Sequence, residues 1–175
     1  MITAENFYID RTAFMSDGFG VYLKNNLQNM LEKSKCLYMH NSVKKELKAA
    51  AENGGTETAK VQKMLDIISI MKNKGLLKFF GNELETLESE MQYVGMVIRC
   101  RAKYPIHFIT NSENLAEDIA LQNQLTSYSG YDVHVYHILD NGQLQEWFPK
   151  KRIETQTEEN EYQNETQKLL SLLGL

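Results

Sequence analysis

Acidic side chains far apart in the chain carry the first chemical signal. Asp10 closes the apolar run Phe7-Tyr8-Ile9 and is followed by Arg11 and Thr12. Glu46 lies in Val43-Lys44-Lys45-Glu46-Leu47, and Glu90 opens a stretch of helical period that ends just before Ile106-His107-Phe108-Ile109-Thr110-Asn111-Ser112. Carboxylates gathered from separate elements suit a hard divalent cation, which takes oxygen ligands and neutralises the charge building on a phosphate under attack. Burying several like charges together is costly unless a cation pairs them, so their convergence would itself imply metal. Taken singly, each acid also fits a structural duty: Asp10 capping a turn with Thr12, Glu46 pairing with Lys45 or Lys48, and Glu90 capping its own helix.

The elements that must position these residues alternate along the chain. Short apolar runs predict strands over Asn6 to Asp10, Cys36 to His40, Leu76 to Phe80, Ile106 to Thr110 and Val133 to Ile138. Stretches of helical period predict helices over Gly20 to Lys33, Ser42 to Glu52, Thr56 to Asn73, Glu83 to Lys103 and Asn114 to Gln124, with Ser42 as an N-cap. Asp140-Asn141-Gly142 reads as a hairpin turn, because Asn-Gly tolerates the positive φ such turns require. This alternation predicts an α/β fold of three layers, α/β/α, with a mainly parallel central sheet and a late hairpin at its edge. In such sheets ligands collect outside the carboxyl ends of the strands, where the strand order reverses. Asp10 and Asn111-Ser112-Glu113 both leave strands at that edge. Glu46 sits about one turn into its helix, and Glu90 extends the stripe of Val94, Val97 and Ile98.

Composition bounds the partners. The 175 residues, 42% of them apolar, suit one domain over residues 1–152 with enough apolar side chains to fill a core. No apolar stretch approaches the roughly 20 residues that cross a bilayer, and no basic region precedes an apolar block at the N-terminus, so a cytoplasmic protein without membrane contact is expected. The net charge of -4 arises in residues 153–175, which hold five acids and one base, leaving 18 of each in the preceding residues. Within that neutral body, bases cluster at Lys33/Lys35, Lys44/Lys45/Lys48, Lys72/Lys74/Lys78, Arg99/Arg101/Lys103 and Lys150/Lys151/Arg152, and a positive rim around an acidic centre is one reading of them. The acidic tail ends in Leu169-Leu170-Ser171-Leu172-Leu173, a short apolar helical face suited to folding back on the domain or to docking on a second copy or another protein. Cys36 and Cys100 are too few for a disulfide framework, the four histidines form no metal-ligand pair on a helix, and Gly18 and Gly20 do not begin a phosphate loop.

Asp after the first strand, Glu in Val-x-x-Glu-Leu, an acid about twenty residues before Thr-Asn, and Leu-Ala soon afterwards together resemble the PIN-domain family over residues 5 to about 125. The later Gly-Tyr-Asp-Val-His-Val-Tyr and Asn-Gly-Gln-Leu are similar to the closing hairpin of some bacterial members. The resemblance implies a metal-dependent nuclease acting on single-stranded RNA, with Mg²⁺ or Mn²⁺ held by three or four acids. Asp10 matches the first acid, Thr12 the hydroxyl that follows it, and Glu46 the second acid. Glu90 stands where the family has Asp, and Ser112 stands where it has the last aspartate, with Glu113 and Asp118 as neighbouring carboxylates that would replace it. Ser112 also suits the N-cap of the following helix.

On this reading Asp10, Glu46 and Glu90 hold the metal, Thr12, Asn111 and Ser112 orient waters or substrate, and Arg11, Lys44 and Lys45 pair with flanking phosphates. Two other functions fit the same residues: a catalytically degenerate PIN-like module that binds RNA or protein, in which the missing aspartate reflects lost catalysis and which the acidic tail and leucine end favour, and a toxin-like ribonuclease restrained by a partner.

Overall fold

A computed structural model describes residues 6–54, 58–82, 89–124 and 130–149. Its centre is a six-stranded sheet in the order β3-β2-β1-β4-β5-β6. Strands β1 (Asn6–Ile9), β2 (Leu37–His40), β3 (Leu77–Phe80), β4 (Ile106–Ile109) and β5 (Val133–Ile138) run parallel, and β6 (Leu144–Trp147) pairs antiparallel with β5. Parallel strands need crossover connections, and helices supply them here. Between β1 and β2 lie a single turn, α1 (Arg11–Phe14), and α2 (Asp17–Glu32); between β2 and β3 lie α3 (Asn41–Glu52) and α4 (Thr58–Asn73). The described part of the next crossover is α5 (Ser89–Cys100), and α6 (Glu113–Leu121) follows β4 and ends in a short 3₁₀ turn over Gln122–Gln124.

Alternation along β1 divides the layers. Phe7 and Ile9 face one side, Tyr8 faces the other, and register carries this division across the sheet: Tyr8 opposite Phe108, Phe7 opposite Leu37 and His107. On the Tyr8 side α5 packs its Tyr93 ring edge-on against Phe108, with ring centres 5.0 Å apart. On the Phe7 side α3 brings the Lys44 ammonium 5.8 Å from the centre of the Phe79 ring. The core joins both layers through fully buried Ile9, Phe14, Phe19, Met39, Leu47, Tyr93, Ile106, Phe108 and Ile109.

The predicted three-layer α/β/α arrangement with a mainly parallel sheet and a late hairpin is the architecture observed. Differences lie at element ends. Helix α3 starts one residue early and its N-cap is His40, whose Nδ1 accepts from the Ser42 N–H at 3.2 Å; Ser42 is already helical. Helix α5 ends at Cys100, short of Lys103, and its buried face is Tyr93, Met96 and Val97, while Val94 and Ile98 are half-buried. Arg101, grouped by sequence with a basic rim, is buried at 5% exposure. The hairpin closes as expected, with Gly142 at φ 77° and its N–H donating to the Leu139 carbonyl at 2.8 Å. The acidic and leucine-rich tail lies outside the described residues, as does the segment 83–88 of the predicted fourth helix.

One side chain fastens the middle of the sheet. The Tyr93 hydroxyl donates to the Ile9 carbonyl at 2.7 Å and accepts from the His40 N–H at 3.0 Å, joining the carboxyl ends of β1 and β2. Tyr93→Phe strips both buried backbone groups of their partner, which costs about 1–3 kcal/mol. The expected outcome in urea denaturation is a lower midpoint with an unchanged slope; an unchanged midpoint would mean that the two groups find other partners.

Candidate functional site

The strand order reverses at β1, since β2 lies on one side of it and β4 on the other. In sheets of this kind the ligand crevice falls just beyond the carboxyl ends of the strands at that reversal, here β1 and β4. Asp10 leaves β1 there at 3% exposure and its N–H donates to the Ile109 carbonyl at 3.1 Å. Its carboxylate caps α1, accepting from the Ala13 N–H at 3.0 Å and from the Thr12 hydroxyl at 2.8 Å. The capping duty weighed from sequence is thus real.

A row of hydroxyls continues from Asp10 to β4. Thr12 Oγ1 lies 3.2 Å from Thr110 Oγ1, the Asn111 N–H donates to Thr12 Oγ1 at 2.9 Å, and the Ser112 N–H donates to Thr110 Oγ1 at 3.0 Å. Thr110 is fully buried and ties the two strand ends together. Ser112 is the N-cap of α6, its hydroxyl accepting from the Leu115 N–H at 3.3 Å.

Burial dominates the electrostatics of Asp10 and lifts its carboxyl above the ordinary range, while the bonds from Ala13, Thr12 and Thr110 pull the other way. Glu46 projects from the second turn of α3 and meets the Arg11 guanidinium at 3.8 Å, with about a third of its side chain exposed (34%). Both carboxylates act on one probe within the fold. The Tyr93 hydroxyl is pushed well above its usual value by complete burial; the hydrogen bond from the His40 N–H pulls the other way, and the charges of Asp10 and Glu46 add smaller upward contributions.

The other predicted site residues are placed differently. Glu90, in the first turn of α5, is exposed and stands three residues before Tyr93, so it shares that helix face. The Glu113 carboxylate accepts from the Trp147 indole N–H at 2.9 Å, which turns it toward β6, and Asp118 is exposed further along α6. Asn111 was expected to orient water or substrate, but its carboxamide is engaged with β5, donating to the Ile138 carbonyl at 3.0 Å and accepting from the Ile138 N–H at 2.9 Å. Lys44 is half-buried over Phe79, and Lys45 is exposed.

Among the described residues, no three His, Cys, Asp or Glu side chains gather closely enough to hold a metal ion by themselves. Asp10 with the Thr12 and Thr110 hydroxyls is nonetheless an all-oxygen set, and Glu46 reaches Arg11, the residue that follows Asp10. Such a donor set suits Mg²⁺, which commonly takes one or two carboxylates and completes its shell with water and substrate phosphate.

Three site residues escaped the sequence reading. Thr110 stood in plain view as the first residue of Thr-Asn-Ser, and Tyr93 was one helical turn from Glu90. His40, whose backbone N–H meets Tyr93 and whose ring caps α3, looked like an ordinary strand end.

No family model matches the chain, and no curated protein matches it. What the fold and site define is an α/β protein with a buried carboxylate at the point where its parallel sheet changes direction. No described helix is long and apolar enough to cross a membrane.

The elevated Asp10 carboxyl has a consequence for stability. Below its unfolded value of about 3.9 the group is protonated in both states and contributes no penalty. As pH rises through the folded value, the buried charge opposes folding. Asp10→Asn removes that charge and keeps an N-cap of equal rank. In EDTA at pH 7 the variant is expected to melt above the native protein, by roughly 2–4 °C for each kcal/mol relieved, with the gap closing toward pH 4. A variant that melts lower at pH 7 would show that the carboxylate is fully compensated by its hydrogen bonds.

Proposed function

We propose that the chain is a PIN-type, metal-dependent nuclease that hydrolyses phosphodiester bonds of single-stranded RNA. The observation that supports this reading is the buried Asp10 carboxylate at the sheet's switch point, with a row of hydroxyls beside it and Glu46 ion-paired to the adjoining Arg11. A divalent cation bound there, Mg²⁺ or Mn²⁺, supplies charge neutralisation at the phosphate and promotes attack by water. Asp10 and Glu46 would hold the cation. Glu90, exposed on the Tyr93 face of α5, does not join them in a three-acid cluster. Thr12 and Thr110 keep Asp10 oriented through their hydroxyls, and Arg11, Lys44 and Lys45 supply positive charge to flanking phosphates, a contribution independent of sequence.

A second reading, a non-catalytic PIN-like module that binds RNA or protein, has its own support. The Ser112 hydroxyl is used as a helix cap, and Glu113 is engaged by Trp147, so neither replaces the family's last aspartate. Such a module would work on a partner through its surface, and a co-purifying protein would mark the restrained, toxin-like variant of the enzyme.

Labelled single-stranded RNA incubated with the protein in Mn²⁺ or Mg²⁺ separates the readings. The expected outcome is metal-dependent cleavage that Asp10→Asn reduces to the level of an EDTA control. In the same assay Ser112→Asp lowers the metal concentration needed for half-maximal cleavage if the native site is complete but weak. Cleavage acquired only by Ser112→Asp, or absent from every variant, favours the binding module. Full activity in Asp10→Asn rules out the assigned site.

A further inference from the structure

Away from the acidic crevice, on the Phe7 side of the sheet, lies a cavity of about 460 Å³. That volume is within the range of small-molecule and cofactor sites. Its floor is Phe7 and Leu37 at the beginnings of β1 and β2; α2 forms one wall through Asn26 and Asn29, and the β5–β6 hairpin forms another through Gln143 and Leu144. Phe7 is already one member of a row of rings. It stacks on His107 with centres 4.7 Å apart and planes 20° apart, and His107 stacks on His134 at 5.3 Å.

The polar atoms left over at this cavity form a mixed set. Asn26 donates its amide to the Tyr22 carbonyl at 2.9 Å, which leaves its side-chain oxygen as an acceptor. Gln143 accepts from the Asn141 amide at 3.2 Å through its side-chain oxygen, which leaves its NH₂ as a donor. Asn29 offers a carboxamide with both. Among the described residues no acid lines the cavity, and Lys35 is the charged residue in its lining. A ring surface bordered by carboxamide donors and acceptors, with the Lys35 side chain also in the lining, matches a planar heterocycle that carries both kinds of group on its edge. Nucleobases have that pattern, and aromatic side chains stack with them.

We infer that this cavity is a nucleobase-binding site, in which the base lies against the Phe7 ring and its edge is read by Asn26, Asn29 and Gln143. The inference does not rest on the nuclease reading, because the cavity contains none of the acidic residues. A base held here belongs to a free nucleoside or to a nucleotide of a bound strand remote from the cleavage point.

Calorimetric titration of the full chain with adenosine, guanosine, cytidine and uridine, all in EDTA, tests the site without metal or catalysis. Saturable binding of at least one nucleoside is expected, with ribose alone giving none. Asn29 and Gln143 are exposed, so Asn29→Leu and Gln143→Leu leave the core intact; each is expected to weaken binding about tenfold, and Phe7→Leu by at least about tenfold through lost stacking. No nucleoside binding at millimolar concentration, equal binding of ribose, or affinity unchanged in both Asn29→Leu and Gln143→Leu would overturn the inference. Failure here leaves the metal-dependent cleavage assay untouched, and loss of cleavage leaves this titration unaffected.

Discussion

Tyr93 makes the contact on which the arrangement of the sheet edge depends. Its hydroxyl serves the last carbonyl of β1 and the last N–H of β2 at once, from a helix on the opposite side of the core from Phe7. The residues that follow those two strand ends are Asp10 and the start of α3, which carries Glu46. Fixing the strand ends therefore fixes where both carboxylates begin. Around the same phenol pack Phe80, His40 and Phe108 with ring centres 5.0 to 6.1 Å away, so the hydroxyl has little room to move. Gly81 belongs to this packing: it adopts φ +81°, and a Cβ at that position would collide with the His40 ring.

A second constraint joins β1 to β4. Asp10, Thr12 and Thr110 form a chain of oxygen atoms in which hydroxyls donate to one acid and receive backbone N–H groups from Asn111 and Ser112. The carboxylate is thereby held by donors without a cationic side chain directly on it. Arg11 goes to Glu46 instead, in a partly exposed pair whose net worth is small. A buried acid supported by neutral donors keeps its negative charge available to a cation, whereas a direct arginine contact would have consumed it.

The fold was legible in the sequence because its five parallel strands are largely buried and read as near-continuous apolar runs, and because its helices have long periodic faces. The ends were less so. The predicted strands included Asp10 and Thr110, yet these residues leave the ladder to serve α1 and the hydroxyl row. Turn α1 is four residues long, too short for periodicity to reveal it. At the site, Asp10 and Glu46 were legible through residue type and position relative to strands. The fates of Asn111 and Glu113 were not, since each is decided by a partner on the late hairpin, Ile138 and Trp147 respectively, 27 and 34 residues away. Tyr93 was invisible for the same reason: its partners are backbone groups 84 and 53 residues distant, and no residue type announces a free carbonyl.

The central place of β1 governs the order in which the molecule can be built. It is the first described strand to leave the ribosome, yet one of its two neighbours, β4, begins about a hundred residues later at Ile106. Until that strand is made, β1 can be only an edge, and the Thr12 hydroxyl has no Thr110 to meet. Long-range closure of this kind is slow, because the entropy of a large loop is lost before its contacts form. The growing chain thus carries Asp10 for most of its synthesis on an unfinished border, and the acidic crevice comes into being only when the second half of the sheet docks.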